Sequence, residues 1–147
     1  MWAAGRRANL RAMRHDSGNP TQGQATAIVV DDDEDLLAAL RFSLELDGLH
    51  VDTHRSSETV NLAALPTANA CLVLDYRLPS ANGLDLLTRL RAGGVTLPAI
   101  LITSHASPIV RDSARAAGAV LIEKPLLGDT LVSAIHAALT PRNDPGQ

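Results

Sequence analysis

Polar side chains stand directly after four apolar runs of this sequence, where their chemistry could be combined. Three acids follow the first run, and a lone aspartate, a threonine and a lysine follow three later ones. In chain order these residues are Asp31, Asp32, Asp33, Asp75, Thr103 and Lys124. A carboxylate among other acids, a hydroxyl and an ammonium group are suited to receiving a phosphoryl group. Asp75, after the run Cys71–Leu74, is the candidate nucleophile.

A carboxylate that attacks a phosphorylated donor must approach an anionic group, so the site needs positive charge. The cation that suits a few carboxylates and retained waters is Mg²⁺, with Asp31, Asp32 and Asp75 as candidate ligands. Lys124 can pair with phosphoryl oxygens as a point charge, and the Thr103 hydroxyl can donate a hydrogen bond. Pro125 would fix the loop beside Lys124, with a cis peptide bond as one option.

The elements that must position these residues alternate regularly between β-branched apolar runs and helical patterns. The predicted strands are Thr26–Val30, Leu49–Thr53, Cys71–Leu74, Ala99–Ile102 and Ala119–Ile122. The predicted helices are Glu34–Leu46, about Glu58–Leu65, Leu84–Arg91, Pro108–Ala117 and Leu127–Leu139. This alternation predicts an α/β fold, a doubly wound parallel sheet with helices on both faces. Of the common doubly wound arrangements we expect the flavodoxin-like (βα)5 sheet of strand order 2-1-3-4-5.

Length and composition indicate one domain with two short extensions. The chain has 147 residues, and 46% of them are hydrophobic, which is enough for a single core. We expect a flexible basic arm over 1–24, the domain over 25–140, and a short tail over 141–147. The arm carries four arginines and one aspartate. Aromatic residues make up only 2%, which argues against a base-stacking surface for single-stranded nucleic acid.

The apolar segments and the single cysteine of the sequence predict where the protein is located. No apolar run approaches the roughly 20 residues that a membrane-spanning helix needs, and the arm has no continuous hydrophobic segment for export. The one cysteine, Cys71, falls in a predicted central strand, where a small core residue is the ordinary interpretation. We therefore expect a cytoplasmic protein with no membrane insertion.

Over residues 25–140 the sequence resembles the receiver domain of two-component response regulators, and in particular the FixJ-type branch. Arg77, two residues after Asp75, and His105, two after Thr103, favour that branch. The motifs that carry the resemblance are Ile-Val-Val-Asp-Asp-Asp, Leu-Val-Leu-Asp-Tyr-Arg-Leu-Pro-Ser-Ala-Asn-Gly, Ile-Leu-Ile-Thr-Ser-His and Gly-Ala-Val-Leu-Ile-Glu-Lys-Pro.

The resemblance implies a role for each matching position. Asp75 is the phosphoacceptor, and it ligates Mg²⁺ together with Asp31, Asp32 and the backbone carbonyl of Arg77. Thr103 is the switch hydroxyl and Lys124 the phosphoryl-binding lysine. The domain is then no enzyme beyond its own phosphorylation and autodephosphorylation.

The partners that the resemblance implies are proteins. The donor would be a sensor histidine kinase or a histidine phosphotransfer protein, and a homodimer could form through the Pro108–Leu139 face. With no output domain in the sequence, we expect a stand-alone receiver that signals by protein contact. Without a recognition helix or base-reading residues, we expect no sequence-specific binding to nucleic acid.

Two features depart from the FixJ-type pattern. FixJ-type receivers usually precede a helix-turn-helix domain, and this sequence shows none. One residue is missing between Gly-Ala-Val and Lys-Pro, and Leu121 occupies the place of an aromatic residue. The usual aromatic rotamer switch is therefore not expected here.

Two other functions fit parts of the pattern. One is an aspartyl-phosphate phosphatase of the haloacid-dehalogenase type, because Asp31-Asp32-Asp33 contains Asp-x-Asp, although after Lys124 only Asp129 precedes the tail. The other is an interaction module that is not phosphorylated. A nucleotide or flavin carrier would want a glycine-rich loop after the first strand, where this chain has acids.

Overall fold

The computed structural model describes Pro20 and residues 23–140. The strands are β1 (Thr26–Val30), β2 (His50–His54), β3 (Ala70–Asp75), β4 (Ala99–Thr103) and β5 (Ala119–Glu123). The α-helices are α1 (Glu34–Leu46), α2 (Gly83–Ala92), α3 (Pro108–Ala116) and α4 (Thr130–Leu139). Most of the predicted arm over 1–24, and the tail over 141–147, lie outside the described residues.

All five strands form one parallel sheet in the order β2-β1-β3-β4-β5, as predicted. Burial explains the apolar runs, because every residue of β1, β3 and β4 is buried. One hydrophobic cluster on one side of the sheet includes Leu72, Leu86 and Leu101. The other cluster includes Val73, Leu44 and Ile135. A sheet covered on both faces needs strands that are apolar throughout, which is why these runs do not alternate.

The helix predicted over about Glu58–Leu65 is wrong. The chain forms two short 3-10 turns instead, Ser57–Thr59 and Leu62–Ala64. Val60 and Asn61 between them have extended backbone angles, and the Asn61 side chain accepts a hydrogen bond from the backbone of Ala63. Such a side-chain bond competes with a continuing helix, and Pro66 disfavours helical geometry at Leu65.

The last helix begins at Thr130, three residues later than the prediction of Leu127. Gly128 between them has a positive φ of 59°, which an α-helix does not use. The other predicted boundaries differ from the structure by one residue at most, including β2, which begins and ends one residue later than predicted. Among the described residues, no helix has the length and apolar character needed to cross a bilayer.

Candidate functional site

The predicted acidic residues come together where β1 and β3 end. These strands are neighbours in register, with Val30 beside Leu74, so Asp31 and Asp75 leave the sheet side by side. Carboxylate oxygens of Asp31, Asp32 and Asp75 lie within 4.8 Å of one another. Asp31 is only 2% exposed and Asp75 6%, whereas Asp32 is exposed. Two buried carboxylates and one open to solvent thus converge on a single point.

Lys124 approaches both buried carboxylates from the neighbouring side of the sheet. Its Nζ atom lies 3.4 Å from Oδ1 of Asp75 and 3.6 Å from Oδ2 of Asp31. The Lys124 backbone N–H donates to the carbonyl of Thr103 at 2.8 Å, which holds the lysine beside the end of β4. The Lys124–Pro125 peptide bond is cis. One ammonium group therefore partly balances two carboxylates.

Burial makes the negative charge at this site unfavourable. Desolvation raises the pKa of Asp75, and the nearby charge of Asp31 raises it further, while Lys124 acts in the opposite direction. Desolvation also raises the pKa of Asp31, although a hydrogen bond from the backbone of Asp33 and the charge of Lys124 lower it. The three carboxylates supply the hard oxygen ligands that Mg²⁺ prefers, and they retain excess negative charge that a cation would neutralise. The residues present therefore fit Mg²⁺.

A cavity of about 390 Å³ opens above these carboxylates. Its lining comprises Asp31, Asp32, Asp33, Asp75, Arg77, Leu78, Pro79, Ser104 and Lys124. Arg77 is exposed at the rim, two residues after Asp75. The space suffices for a phosphoryl group and several waters, since one water occupies about 30 Å³ in the liquid.

Gly83 supports the main chain at Asp75 from below. Its N–H donates to the carbonyl of Tyr76 at 2.9 Å, so the loop after β3 folds back before α2 begins. A Cβ atom placed on Gly83 would lie 2.3 Å from the carbonyl oxygen of Asp75. Only glycine allows this approach, because a methyl group at that distance would collide with main chain.

Thr103 lies at the predicted position, but its hydroxyl is bonded elsewhere. The residue is 3% exposed, and its Oγ1 atom donates to the carbonyl of His105 and accepts from the His105 N–H, both at 3.2 Å. Ser104, which was not among the predicted site residues, lines the cavity. A small polar residue directly after the strand was the only signal for it.

Asp33 has a local role that its place in an acidic cluster concealed. Its carboxylate accepts from the N–H groups of Asp35 at 3.0 Å and Leu36 at 3.2 Å, and so caps α1. Its own N–H donates to Oδ1 of Asp31 at 2.9 Å. Asp33 thus orients Asp31 and starts the helix. The acidic pattern at the N-terminal end of α1 was the signal for such a cap.

Comparison with known proteins identifies the family of this chain. The family model described as the response regulator receiver domain matches residues 27–136. The transcriptional regulatory protein FixJ of Rhizobium meliloti is 36% identical over 114 residues, which cover 77% of this chain and 56% of that protein. This chain spans about half the length of the FixJ relatives it matches.

Solved structures agree with that assignment. The crystal structure of FixJ-N is 35% identical, with a TM-score of 0.70 over 80% of this chain and 94% of that one. The beryllofluoride-activated NtrC4 receiver domain dimer is 26% identical, with a TM-score of 0.67 over 78% of this chain and 95% of that one. A family model that spans most of the described domain, on a sheet of the predicted order, decides against the haloacid-dehalogenase alternative. The chain belongs to the response regulator receiver domain family.

Proposed function

We propose that this domain accepts a phosphoryl group on Asp75 from a histidine kinase or a histidine phosphotransfer protein, in a Mg²⁺-dependent step. The observation that carries the proposal is the position of the buried Asp75 carboxylate. It lies 3.4 Å from the Lys124 ammonium group and beside the carboxylates of Asp31 and Asp32. No other described group of acidic or histidine side chains meets the same spacing.

In the proposed reaction a carboxylate oxygen of Asp75 attacks the phosphorus of a phosphohistidine. A P–O bond forms and the P–N bond breaks, and its electron pair stays on the imidazole, which takes up a proton. Lys124 would pair with the oxygens of the transferring group. Asp31, Asp32, Asp75 and the carbonyl of Arg77 would hold Mg²⁺, which supplies charge neutralisation for the approaching anions.

The acyl phosphate would end by hydrolysis, in which water attacks the phosphorus and releases inorganic phosphate and the free Asp75 carboxylate. Receiver domains are signalling modules, and this autodephosphorylation would be the one catalytic property of the domain besides its own phosphorylation. Phosphohistidine is made from ATP inside the cell, so the proposed reaction places the protein in the cytoplasm.

The proposed output is protein contact through the face formed by α3, β5 and α4. Three large hydrophobic side chains stand exposed there: Ile109 on α3 at 78%, Val120 on β5 at 53% and Leu127 before α4 at 70%. Such side chains favour a protein partner or a homodimer. The dimer of the NtrC4 receiver domain is consistent with a homodimer. Sequence-specific binding to nucleic acid is no part of this proposal.

Incubation with acetyl phosphate and Mg²⁺, followed by intact-mass analysis, tests the acceptor. One acid-labile phosphoryl adduct should appear in the native protein and be lost with Asp75→Asn, whereas Asp129→Asn should label normally because that residue lies outside the site. Equal labelling of Asp75→Asn would contradict the assignment. An unlabelled native protein, with acetyl phosphate and with a phosphorylated histidine kinase alike, would favour the unphosphorylated interaction module.

A further inference from the structure

The strand β2 carries imidazole and carboxylate side chains, which are nitrogen and oxygen donors, away from the acidic cluster of Asp31, Asp32 and Asp75. His50, Asp52 and His54 alternate along it, while Val51 between them is buried at 1%. Alternate residues of a strand share one face and stand about 6.6 Å apart. An imidazole and a carboxylate at that spacing can reach a common ion.

A hydrogen bond to Thr59 holds the imidazole of His54. Its Nδ1 atom lies 2.8 Å from Oγ1 of Thr59, and that hydroxyl donates to the carbonyl of Ser56 at 3.2 Å. A hydroxyl that donates its single hydrogen to Ser56 can only accept from His54, which corresponds to the tautomer with the proton on Nδ1. The lone pair of the ring is therefore on Nε2. Histidine ligands in metal sites are oriented by the same kind of outer hydrogen bond.

Asp52 is also held by a neighbouring side chain, that of His50. Nε2 of His50 lies 3.2 Å from Oδ1 of Asp52, and an ionised carboxylate only accepts, so the imidazole donates. The second carboxylate oxygen stays available, and the side chain is 44% exposed. Asp52 and His54 are thus each held by a hydrogen bond to a neighbouring side chain. Nε2 of His54 and the second carboxylate oxygen of Asp52 are left for a metal ion.

The surroundings leave room for an ion and its waters. Asp52 and His54 both line a cleft of about 290 Å³ between β2 and the two 3-10 turns, and Asn61, Thr59 and Arg41 face the same space. The guanidinium of Arg41 is paired with Glu45 at 3.4 Å and donates to Oγ1 of Thr53 at 3.2 Å. The cleft exists because the segment after β2 forms those short turns and no full helix. His50 is too far along the strand to bind the same ion as His54, since four residues span about 13 Å.

We propose that Asp52 and His54 bind a divalent transition-metal ion such as Zn²⁺, with water completing its coordination. A mixed nitrogen and oxygen ligand pair favours Zn²⁺, Ni²⁺ or Cu²⁺, whereas Mg²⁺ prefers oxygen ligands alone. The domain would therefore hold two sites that select different cations. This inference does not depend on phosphorylation of Asp75.

Zn²⁺ titration of the full chain by calorimetry, in excess Mg²⁺ to occupy the carboxylate site, tests the proposal. His54→Gln and Asp52→Asn should each weaken Zn²⁺ binding by tenfold or more, and Thr59→Val, which removes only the orienting hydroxyl, by about tenfold. His105→Gln, at an exposed histidine outside the cleft, is the matched control and should bind as the native protein does.

A second readout identifies the ligand atom directly. Substoichiometric Cu²⁺ should broaden the imidazole NMR signals of His54 before those of His105 and His136. The proposal is overturned if the native protein does not bind Zn²⁺, if His54→Gln and Asp52→Asn bind it unchanged, or if broadening begins at His136. Backbone spectra of each variant show whether the fold is intact, and the exposed Asp52 position keeps the test decisive if His54→Gln unfolds.

Discussion

At the scale of single residues, the site is defined by charges held in an unfavourable environment. Asp75 and Asp31 are buried beside each other, and Lys124 compensates them only in part, so the pKa of each carboxyl is raised. A raised pKa in the folded state means that the folded protein binds protons more readily than the unfolded chain. Burial of the two carboxylates, with a smaller contribution from repulsion between acidic groups, therefore destabilises the metal-free domain when both carboxyls are ionised.

The pH dependence of stability follows with a definite sign. Without Mg²⁺, the free energy of unfolding should decrease as pH rises from the unfolded pKa through the raised folded pKa of Asp75. Asp75→Asn should flatten this slope and raise the melting temperature near neutral pH. Thermal melts at several pH values, with EDTA present, measure both effects. A native protein that gains stability with rising pH in that window would contradict the electrostatic account.

Two glycines offer a matched test of backbone approach. A Cβ on Gly83 and a Cβ on Gly93 would each meet another atom at 2.3 Å, but the first meets the carbonyl oxygen of Asp75 and the second a methyl group of Leu62. Leu62 is an exposed side chain that can turn away. Gly83→Ala should therefore lower the stability of the domain by about 1–3 kcal/mol and slow the phosphoryl labelling of Asp75. Gly93→Ala should change stability and labelling little. Similar losses in urea melts of the two variants would disprove this distinction.

At the scale of elements, the loop between β4 and α3 links the site to the proposed contact face. Thr103 ends β4, its hydroxyl holds the backbone of His105, and Ser107 caps α3 by accepting from the Val110 N–H at 3.3 Å. For the Thr103 hydroxyl to reach a phosphoryl group on Asp75, it must leave His105. A ligand shifts a conformational equilibrium only through such a difference in contacts.

Coupling should therefore depend on Thr103 and its loop more than on Leu121. Thr103→Ala should leave labelling of Asp75 intact but weaken phosphorylation-dependent dimerisation or partner binding. Leu121 is a partly buried side chain packed against the core, so Leu121→Ala should mainly lower stability, by about 2 kcal/mol. Analytical ultracentrifugation with and without acetyl phosphate compares the two. Loss of the response in Leu121→Ala at unchanged stability, with Thr103→Ala still responsive, would show that the route is wrong.

At the scale of the whole molecule, the parallel sheet brings the candidate site residues to one side, where the carboxyl ends of its strands lie. β1, β3, β4 and β5 end at the same edge, and each delivers one or more of the polar residues there. The buried central strands β1, β3 and β4 hold the main chain at these positions before any ligand binds. Binding of a cation at that edge should therefore stabilise the entire domain.

Mg²⁺ should raise the melting temperature by linkage, since it binds the folded site and not the dispersed carboxylates. At tenfold excess over its dissociation constant, the stabilisation is about 1.4 kcal/mol. Asp32→Ala should remove this gain while leaving the fold intact, because Asp32 is exposed. Asp129→Ala, outside the site, serves as the control. Melting of the native protein that does not respond to millimolar Mg²⁺ would mean that the acidic cluster is not a metal site.

The sequence by itself determined the number and position of the strands along the chain and the identity of the residues at their ends. Apolar runs such as Ala27–Val30 and Cys71–Leu74 are local signals of buried parallel strands, and the polar residue after each run marks the edge where it ends. Tertiary structure alone decided where the Thr103 hydroxyl is bonded, how close Lys124 comes to two carboxylates, and that residues 57–64 form turns. These features depend on distances between strands and on competing side-chain hydrogen bonds, which no local pattern encodes.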